Sequence, residues 1–380
     1  MDSKAKQILL DTQKKLLDAK INPKTVSLAS TGGGGSIQHV PTGILALDLA
    51  TLGGLYVGRI NYFASKKAHS GKTTAAWLCI AAFQRAMPDK IAVYVETEGA
   101  LDVSWGQTLG VDLDRLIVAQ PETGEQACEI VDEYMGSTDI SLIVLDSVHG
   151  AQPTEMIQTP LGEYKVASQA RMFSRAVVQW VNTGIKLHNE HNYKPTILAV
   201  NQTRTGIGAP NPKYAPTVHP GGDVWEYYAS FRAMWANIED EIDSDSKNVS
   251  THALTSEFAF KVIKNKGGNG LKRSSFTLVR DPAHPSGVGA ILQTTQMINF
   301  AKQLGLVEEA GSKGIKIPII GLEGPVGNVK KGVPEREDSI IHKIEQDQQK
   351  YTDLYMAVLE KYRATKAPNS RKDWLWQPPV

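Results

Sequence analysis

The chain has 380 residues, with 41 Lys and Arg against 40 Asp and Glu, for a formal net charge of +1. Charge this balanced excludes a bulk polybasic protein, so any nucleic-acid contact must come from local loops. A single core stops growing at roughly 250–300 residues, which predicts one large domain with smaller pieces attached.

Ile8, Leu9, Leu16 and Leu17 recur at helical spacing between lysines and predict one amphipathic helix over residues 3–20. This polar start is no signal peptide, and no run of about 18 apolar residues exists to predict a membrane span. The reading is a soluble, intracellular chain. Ser30-Thr31-Gly32-Gly33-Gly34-Gly35-Ser36 follows as a flexible tether with too little apolar surface to offset its ordering entropy. A helix on a tether buries its stripe either by folding back or by docking on a neighbouring copy.

From Pro41 to about residue 280, strand and helix patterns alternate, which predicts an α/β domain. The run Arg59–Phe63 leads into Ser70-Gly71-Lys72-Thr73-Thr74 and then a helix from Ala75, the second half of a P-loop. In such a turn, N–H groups at the helix N-terminus wrap phosphate oxygens, Lys72 reaches the β/γ-phosphates, and the Thr73 hydroxyl holds magnesium. Lys66 stands where the motif has its first glycine, and Ala64-Ser65-Lys66-Lys67-Ala68-His69 contains neither Gly nor Pro. Such a turn forms a phosphate nest less permissively. Cys79 and Cys128, the two cysteines, fall in predicted amphipathic helices and read as buried free thiols.

A second strand, Ile91–Val95, ends in Glu96-Thr97-Glu98, and one of these glutamates is placed to polarise an attacking water. Leu142–Leu145 has no polar alternation, as in a strand buried on both faces. It ends in Asp146, where a Walker B carboxylate would orient water on magnesium. Thr196–Val200 ends in Asn201-Gln202. Four strands delivering polar residues at one end mark an active-site rim. Residues 153–166 and 203–222 are longer than ordinary connections and emerge on that same face. The second is glycine-rich and carries Arg204 and Lys213, which suits a polyanion.

From about Val40 to Arg280 the chain resembles the bacterial RecA recombinase family, as a diverged member, bacterial or phage-encoded. The resemblance rests on Pro41-Thr42-Gly43 through Leu47-Asp48, Gly53-Gly54-Leu55 with Gly58-Arg59-Ile60, and Ser70–Thr74. It continues through Gly99-Ala100-Leu101-Asp102, Leu109-Gly110-Val111-Asp112, Gln120-Pro121-Glu122-Thr123-Gly124-Glu125-Gln126-Ala127 and Val144–Ser147. Asn201-Gln202, Gly221-Gly222, Tyr228-Ala229-Ser230 and Lys264-Asn265-Lys266 complete a colinear set. The Gln120–Ala127 and Lys264–Lys266 runs are far more specific than any P-loop.

The resemblance implies a role for each matching residue. Glu98, not Glu96, matches the glutamate that activates water; Asp146 matches the Walker B aspartate, and Gln202 the γ-phosphate sensor. Lys67, Ala68, His69, Ser70, Gly71, Lys72, Thr73 and Thr74 form the nucleotide turn, with Asp102, Trp105 and Arg280 near adenine. Lys264 and Lys266 match a pair that reaches a neighbouring subunit's ATP. That favours sending the N-terminal helix, through Ile8 and Leu9, to a neighbour as well. Tyr227 stands at an interface aromatic position. For DNA, the two long loops and their surroundings supply Val166, Arg171, Ser174, Arg204, Ile207, Gly208, Gly221 and Gly222. A family arginine falls on Val178, with Arg175 one turn away as its substitute.

What the resemblance implies overall is an α/β fold: a RecA-type P-loop ATPase core over 37–282 with a mostly parallel sheet. A tethered helix over 1–36 and a small C-terminal α+β domain with its tail over 283–380 flank it, and Asp347–Tyr362 reads as a helix. The implied function is a cytoplasmic DNA-dependent ATPase using ATP and Mg²⁺. It forms a helical homo-filament on single-stranded DNA and takes duplex DNA as second substrate for strand exchange, with room for single-strand-binding and loading proteins as partners. The competing readings are an ATP-binding filament or mediator protein with little hydrolysis, favoured by Lys66, and a P-loop ring helicase. Trp374 and Trp376 near the end read as core-docking residues or a partner element.

Overall fold

The computed structural model describes residues 3–28, 37–160, 167–205, 217–242, 253–327, 329–330, 333–334 and 339–366. Val166, Ile207, Gly208, Trp374, Trp376 and the tetraglycine tether lie outside them.

The centre is a nine-stranded sheet. Its strands in chain order are β1 (Ile60–Ser65), β2 (Ile91–Glu96), β3 (Leu116–Ala119), β4 (Ile140–Asp146), β5 (Thr196–Gln202), β6 (Phe231–Ile242), β7 (Ala253–Asn265), β8 (Arg273–Val279) and β9 (Ile291–Leu292). In space they run β9-β8-β7-β6-β1-β5-β4-β2-β3. The segment from β6 to β3 is parallel, and β7, β8 and β9 extend it antiparallel.

Side chains alternate across this sheet, and both faces are apolar because helices cover both. Phe63, Leu142, Val144, Leu198 and Val200 pack with α3 (Lys72–Ala86). Tyr62, Ala64, Ile143, Leu145 and Ala199 pack on the other face with α5 (Gly124–Met135) and α7 (Ser168–His191). The sequence predicts α3 as amphipathic, but nearly every residue from Thr74 to Gln84 is buried. The helix is roofed by His39–Val40 and by α4 (Val103–Thr108) as well as floored by the sheet. Cys79 and Cys128 are buried and free, as expected.

A third cluster joins Leu45 and Leu49 of α2 (Leu45–Thr51), with Leu52 just past its end, to α9 (Thr294–Gln303), α10 (Ile340–Glu345) and α11 (Gln348–Lys366). The first helix, α1 (Ser3–Asp18), ends two residues before the expected boundary and holds the following segment through Gln13 Nε2 on Val26 O. Ile8, Leu10 and Leu17 are exposed on this chain, and Leu9 is half-buried. No helix among the described residues is long and apolar enough to cross a membrane.

Both long loops carry short elements that periodicity missed. The first contains α6 (Thr154–Ile157), and the described ends of the second pair as a hairpin of Arg204–Thr205 with Thr217–Val218. Elements of two to four residues give no hydrophobic period to read.

Candidate nucleotide and nucleic-acid site

Strand β1 delivers a buried Ser65 to the carboxyl end of the sheet, and seven residues later Lys72 opens α3. The turn between them needs left-handed backbone at His69 (φ 54°) and Gly71 (φ 82°). Gly71 also lies against the Phe258 ring, where a Cβ would approach to 2.6 Å, so only glycine fits. Lys72, only 6 % exposed, donates from Nζ to Ser65 Oγ at 2.6 Å and Ser70 Oγ at 3.1 Å. Burial lowers its pKa, while the Asp146 and Glu98 carboxylates pull it back up.

Asp146, at the end of β4, accepts on Oδ2 from the Thr73 hydroxyl at 2.8 Å and the Tyr94 hydroxyl at 2.6 Å. Its pKa is raised by burial, against which those two donors act. Tyr94 is fixed by stacking on Trp77, ring centres 4.5 Å apart.

The two glutamates after β2 differ in what they touch. Glu96 is buried, and its Oε1 accepts from the N–H groups of Glu98 (2.7 Å), Gly99 (2.6 Å) and Ala100 (3.3 Å). It clamps the turn. Glu98 is exposed on the rim, where its Oε1 accepts from Ser147 Oγ and, at 3.1 Å, from Gln202 Nε2. The structure thus brings Lys72, Thr73, Asp146, Glu98 and Gln202 to one end of the sheet.

Beside them, Trp105 Nε1 donates to Thr74 Oγ1 at 3.3 Å, and the Arg280 guanidinium lies 5.0 Å from the Trp105 ring centre. Asp102 caps α4 by accepting from Ser104 N and Trp105 N, which orients the indole.

Lys264 and Lys266 are elsewhere. In the sheet register, Phe231 pairs with Asn61 and with Asn265, so the lysine end of β7 lies level with the start of β1. Ser65, which leads into the phosphate turn, pairs with Trp235 four residues further along β6. At the lysine end, Lys264 Nζ donates to the carbonyls of Glu226 and Tyr227 in α8 (Val224–Tyr228). Lys266, Tyr227, Gly222 and Ser174 line a surface cleft of about 840 Å³ between α7 and α8. Tyr227 is 72 % exposed.

On α7, Arg171 lies 3.9 Å from Glu155 of α6, and Ser174 and Arg175 are exposed. Gly221 and Gly222 both have φ 80°, and a Cβ on either would press into Val148 or Ala170. The Gln120–Ala127 run also acquires a mechanical meaning. Thr123 caps α5, while Glu125 Oε2 accepts from the N–H and hydroxyl of Thr154 at 2.9 Å, pinning the start of the first long loop.

The model of the RecA N-terminal domain matches residues 17–282, starting well before the first motif at Pro41. The chain is 35 % identical over 277 residues to Protein RecA of Tropheryma whipplei (strain Twist), covering 73 % of this chain and 58 % of that protein. It is equally similar, at 35 % over 277 residues, to Protein RecA of Leifsonia xyli subsp. xyli, covering 73 % and 71 %. With Protein RecA of Francisella philomiragia it shares 32 % over 310 residues, covering 80 % and 78 %. The chain belongs to the RecA family.

Within this RecA-family site, sequence reasoning missed four polar residues. His149 contacts Arg204, and Tyr62, His219 and Arg232 form a linked group beneath the Gly221-Gly222 turn. None belongs to a motif, and Tyr62 sits in a strand at a position that reads as core. A lone histidine carries no spacing signal.

Proposed function

We propose that this chain is a DNA-dependent ATPase that assembles as a helical filament on single-stranded DNA and promotes homologous pairing and strand exchange with a duplex. The observation that carries the reading is Glu98, a rim carboxylate held jointly by Ser147 and Gln202 beside Lys72 and the Thr73–Asp146 pair.

In this reading, N–H groups of the turn over residues 67–74 and the Lys72 ammonium bind the phosphates of ATP. Thr73 and Asp146 offer a hydroxyl and a carboxylate oxygen, hard donors that fit magnesium, which takes few protein ligands and keeps several waters. Bound magnesium supplies charge neutralisation on the phosphate oxygens. Glu98 orients the attacking water and accepts its proton. Gln202 shares the Glu98 oxygen, so a change at the γ-phosphate shifts the end of β5 and the loop beyond it. Trp105 and Arg280 present stacking faces for the base.

Lys264 and Lys266 lie at the far end of the parallel strands from their own chain's phosphate turn, and this supports their reaching a neighbour's nucleotide in a filament. Arg171, Ser174, Arg175, Arg204, Gly221 and Gly222 contact the DNA backbone or lie beside the strand in the same proposal, with Val166 and Gly208 near them and Ile207 as a wedge between base triplets. Ile8, Leu9 and Tyr227 meet the adjacent protomer.

A second reading, a filament or mediator protein with little hydrolysis, is favoured by Lys66 and by a non-glycine His69 in left-handed backbone. One assay separates the two: ATP hydrolysis without DNA, with single strands and with duplex, for wild type and Glu98→Gln. Stimulation by single strands that Glu98→Gln abolishes supports the recombinase; DNA binding with no turnover in wild type selects the mediator.

A further inference from the structure

Glu98 and Gln202 form half of a closed circuit. Glu98 Oε1 accepts from Gln202 Nε2 at 3.1 Å and from Ser147 Oγ. Two residues beyond Gln202, Arg204 Nη2 meets His149 Nε2 at 2.8 Å, and His149 follows Ser147 by two residues. The circuit therefore runs Glu98, Gln202, Arg204, His149, Ser147 and back to Glu98, with short backbone segments closing each side.

The His149 side of this circuit is rigid. Gln169 of α7 donates from Nε2 to the carbonyls of Val148 (3.0 Å), His149 (3.2 Å) and Ala151 (3.0 Å). Gly150 N donates to Ser147 Oγ at 3.1 Å, and Gly150 lies so close to Thr97 that a Cβ would come within 2.6 Å of its carbonyl oxygen. The Arg204 side, in contrast, is an exposed residue at the start of a long loop. A guanidinium only donates, so the His149 ring must accept on Nε2 and carry its proton on Nδ1. The charged groups that face the ring are Arg204 and Glu98.

We propose that His149 is a positioning residue for Arg204: its neutral imidazole ties the first arginine of the second long loop to the nucleotide rim, so that DNA contact by Arg204 follows the position of Glu98 and Gln202. The inference rests on the function proposed above. Without the imidazole, Arg204 is joined to the rim, among the described residues, through its own backbone alone, and nucleotide binding loses part of its leverage on the loop. A protonated imidazole cannot accept from a guanidinium, so acid removes the tie as surely as mutation does.

The test is fluorescence-anisotropy binding of a labelled oligo-dT single strand, with and without a non-hydrolysable ATP analogue and magnesium, for wild type, His149→Ala and His149→Gln. The ratio of the two affinities should fall about fivefold in His149→Ala, the scale of one exposed charge-assisted hydrogen bond. It should recover in His149→Gln, whose amide oxygen accepts. In wild type the ratio should be constant above pH 6.5 and decline below it, while His149→Gln stays flat. The wild-type profile keeps the proposal testable should His149→Ala not fold. A wild-type ratio that responds to nucleotide but is matched by His149→Ala, or a wild-type pH profile parallel to that of His149→Gln, overturns this inference alone. A wild type that binds no single strand in any nucleotide condition overturns the functional reading with it.

Discussion

The Tyr62 hydroxyl lies 2.9 Å from His219 Nδ1, inside the protein and beneath the glycine turn at 221–222. Asn201 Nδ2 donates to the same hydroxyl at 2.8 Å and to Pro220 O at 2.9 Å. Arg232 stands 3.4 Å from His219 Nε2 and 3.8 Å from Glu226, whose carbonyl accepts from Lys264. A polar path thus joins the residue before Gln202 to the lysine at the other end of the sheet. Tyr62→Phe would leave Asn201 and His219 each short of a buried partner and should cost about 1–3 kcal/mol. Urea unfolding measures it, and an unchanged midpoint and slope would show that the path is not structural.

The division of labour between Glu96 and Glu98 predicts opposite phenotypes. Glu98→Gln should lower DNA-stimulated ATP turnover by about 10²–10⁴-fold, the range for loss of a general base, with little change in melting temperature. Glu96→Gln weakens an acceptor for three N–H groups and should lower stability by about 1–2 kcal/mol. If Glu96→Gln instead abolishes turnover in a fully stable protein, the two assignments must be exchanged.

Placing Lys264 away from its own phosphate turn leads to a mixing experiment. Lys264→Ala and Glu98→Gln should each be inactive alone. In a head-to-tail filament, a random mixture juxtaposes an intact Glu98 with an intact Lys264 at about a quarter of the interfaces. Turnover should recover to that fraction. No recovery across mixing ratios would place the lysines in cis or outside the reaction.

Asp48 gives a pH prediction. Its carboxylate is fully buried in α2 and accepts from Thr42 N (2.9 Å), Thr42 Oγ1 (2.8 Å), Gly43 N (3.3 Å) and the Tyr355 hydroxyl of α11. Burial outweighs these donors and raises its pKa from 3.8 to about 6. The folded state therefore binds more protons than the unfolded chain between those values, and this stabilising contribution is full below the lower one and lost above the upper. The loss is about 3 kcal/mol. Unfolding free energies of wild type and Asp48→Asn, compared across that window, should converge or cross by that amount as pH rises. A pH-independent difference would show that Asp48 titrates normally.

Much of this was legible in the chain itself. Runs such as Leu142–Leu145 without polar alternation announce strands buried on both faces, and Ser70–Thr74 after an apolar run announces a phosphate turn, because both patterns arise from local backbone geometry and period. The order of motifs from Pro41 to Lys266 likewise carried the family. The resemblance already singled out Glu98 over Glu96; tertiary structure supplied the physical difference, since Glu96 is buried under three N–H groups while Glu98 is exposed and accepts from Ser147 and Gln202. It also brought His149 to Arg204 across 55 positions, and set Lys264 at the opposite end of the sheet from Lys72. Such pairings depend on strand order and register, which are fixed by packing over long sequence separations and leave no local period to read.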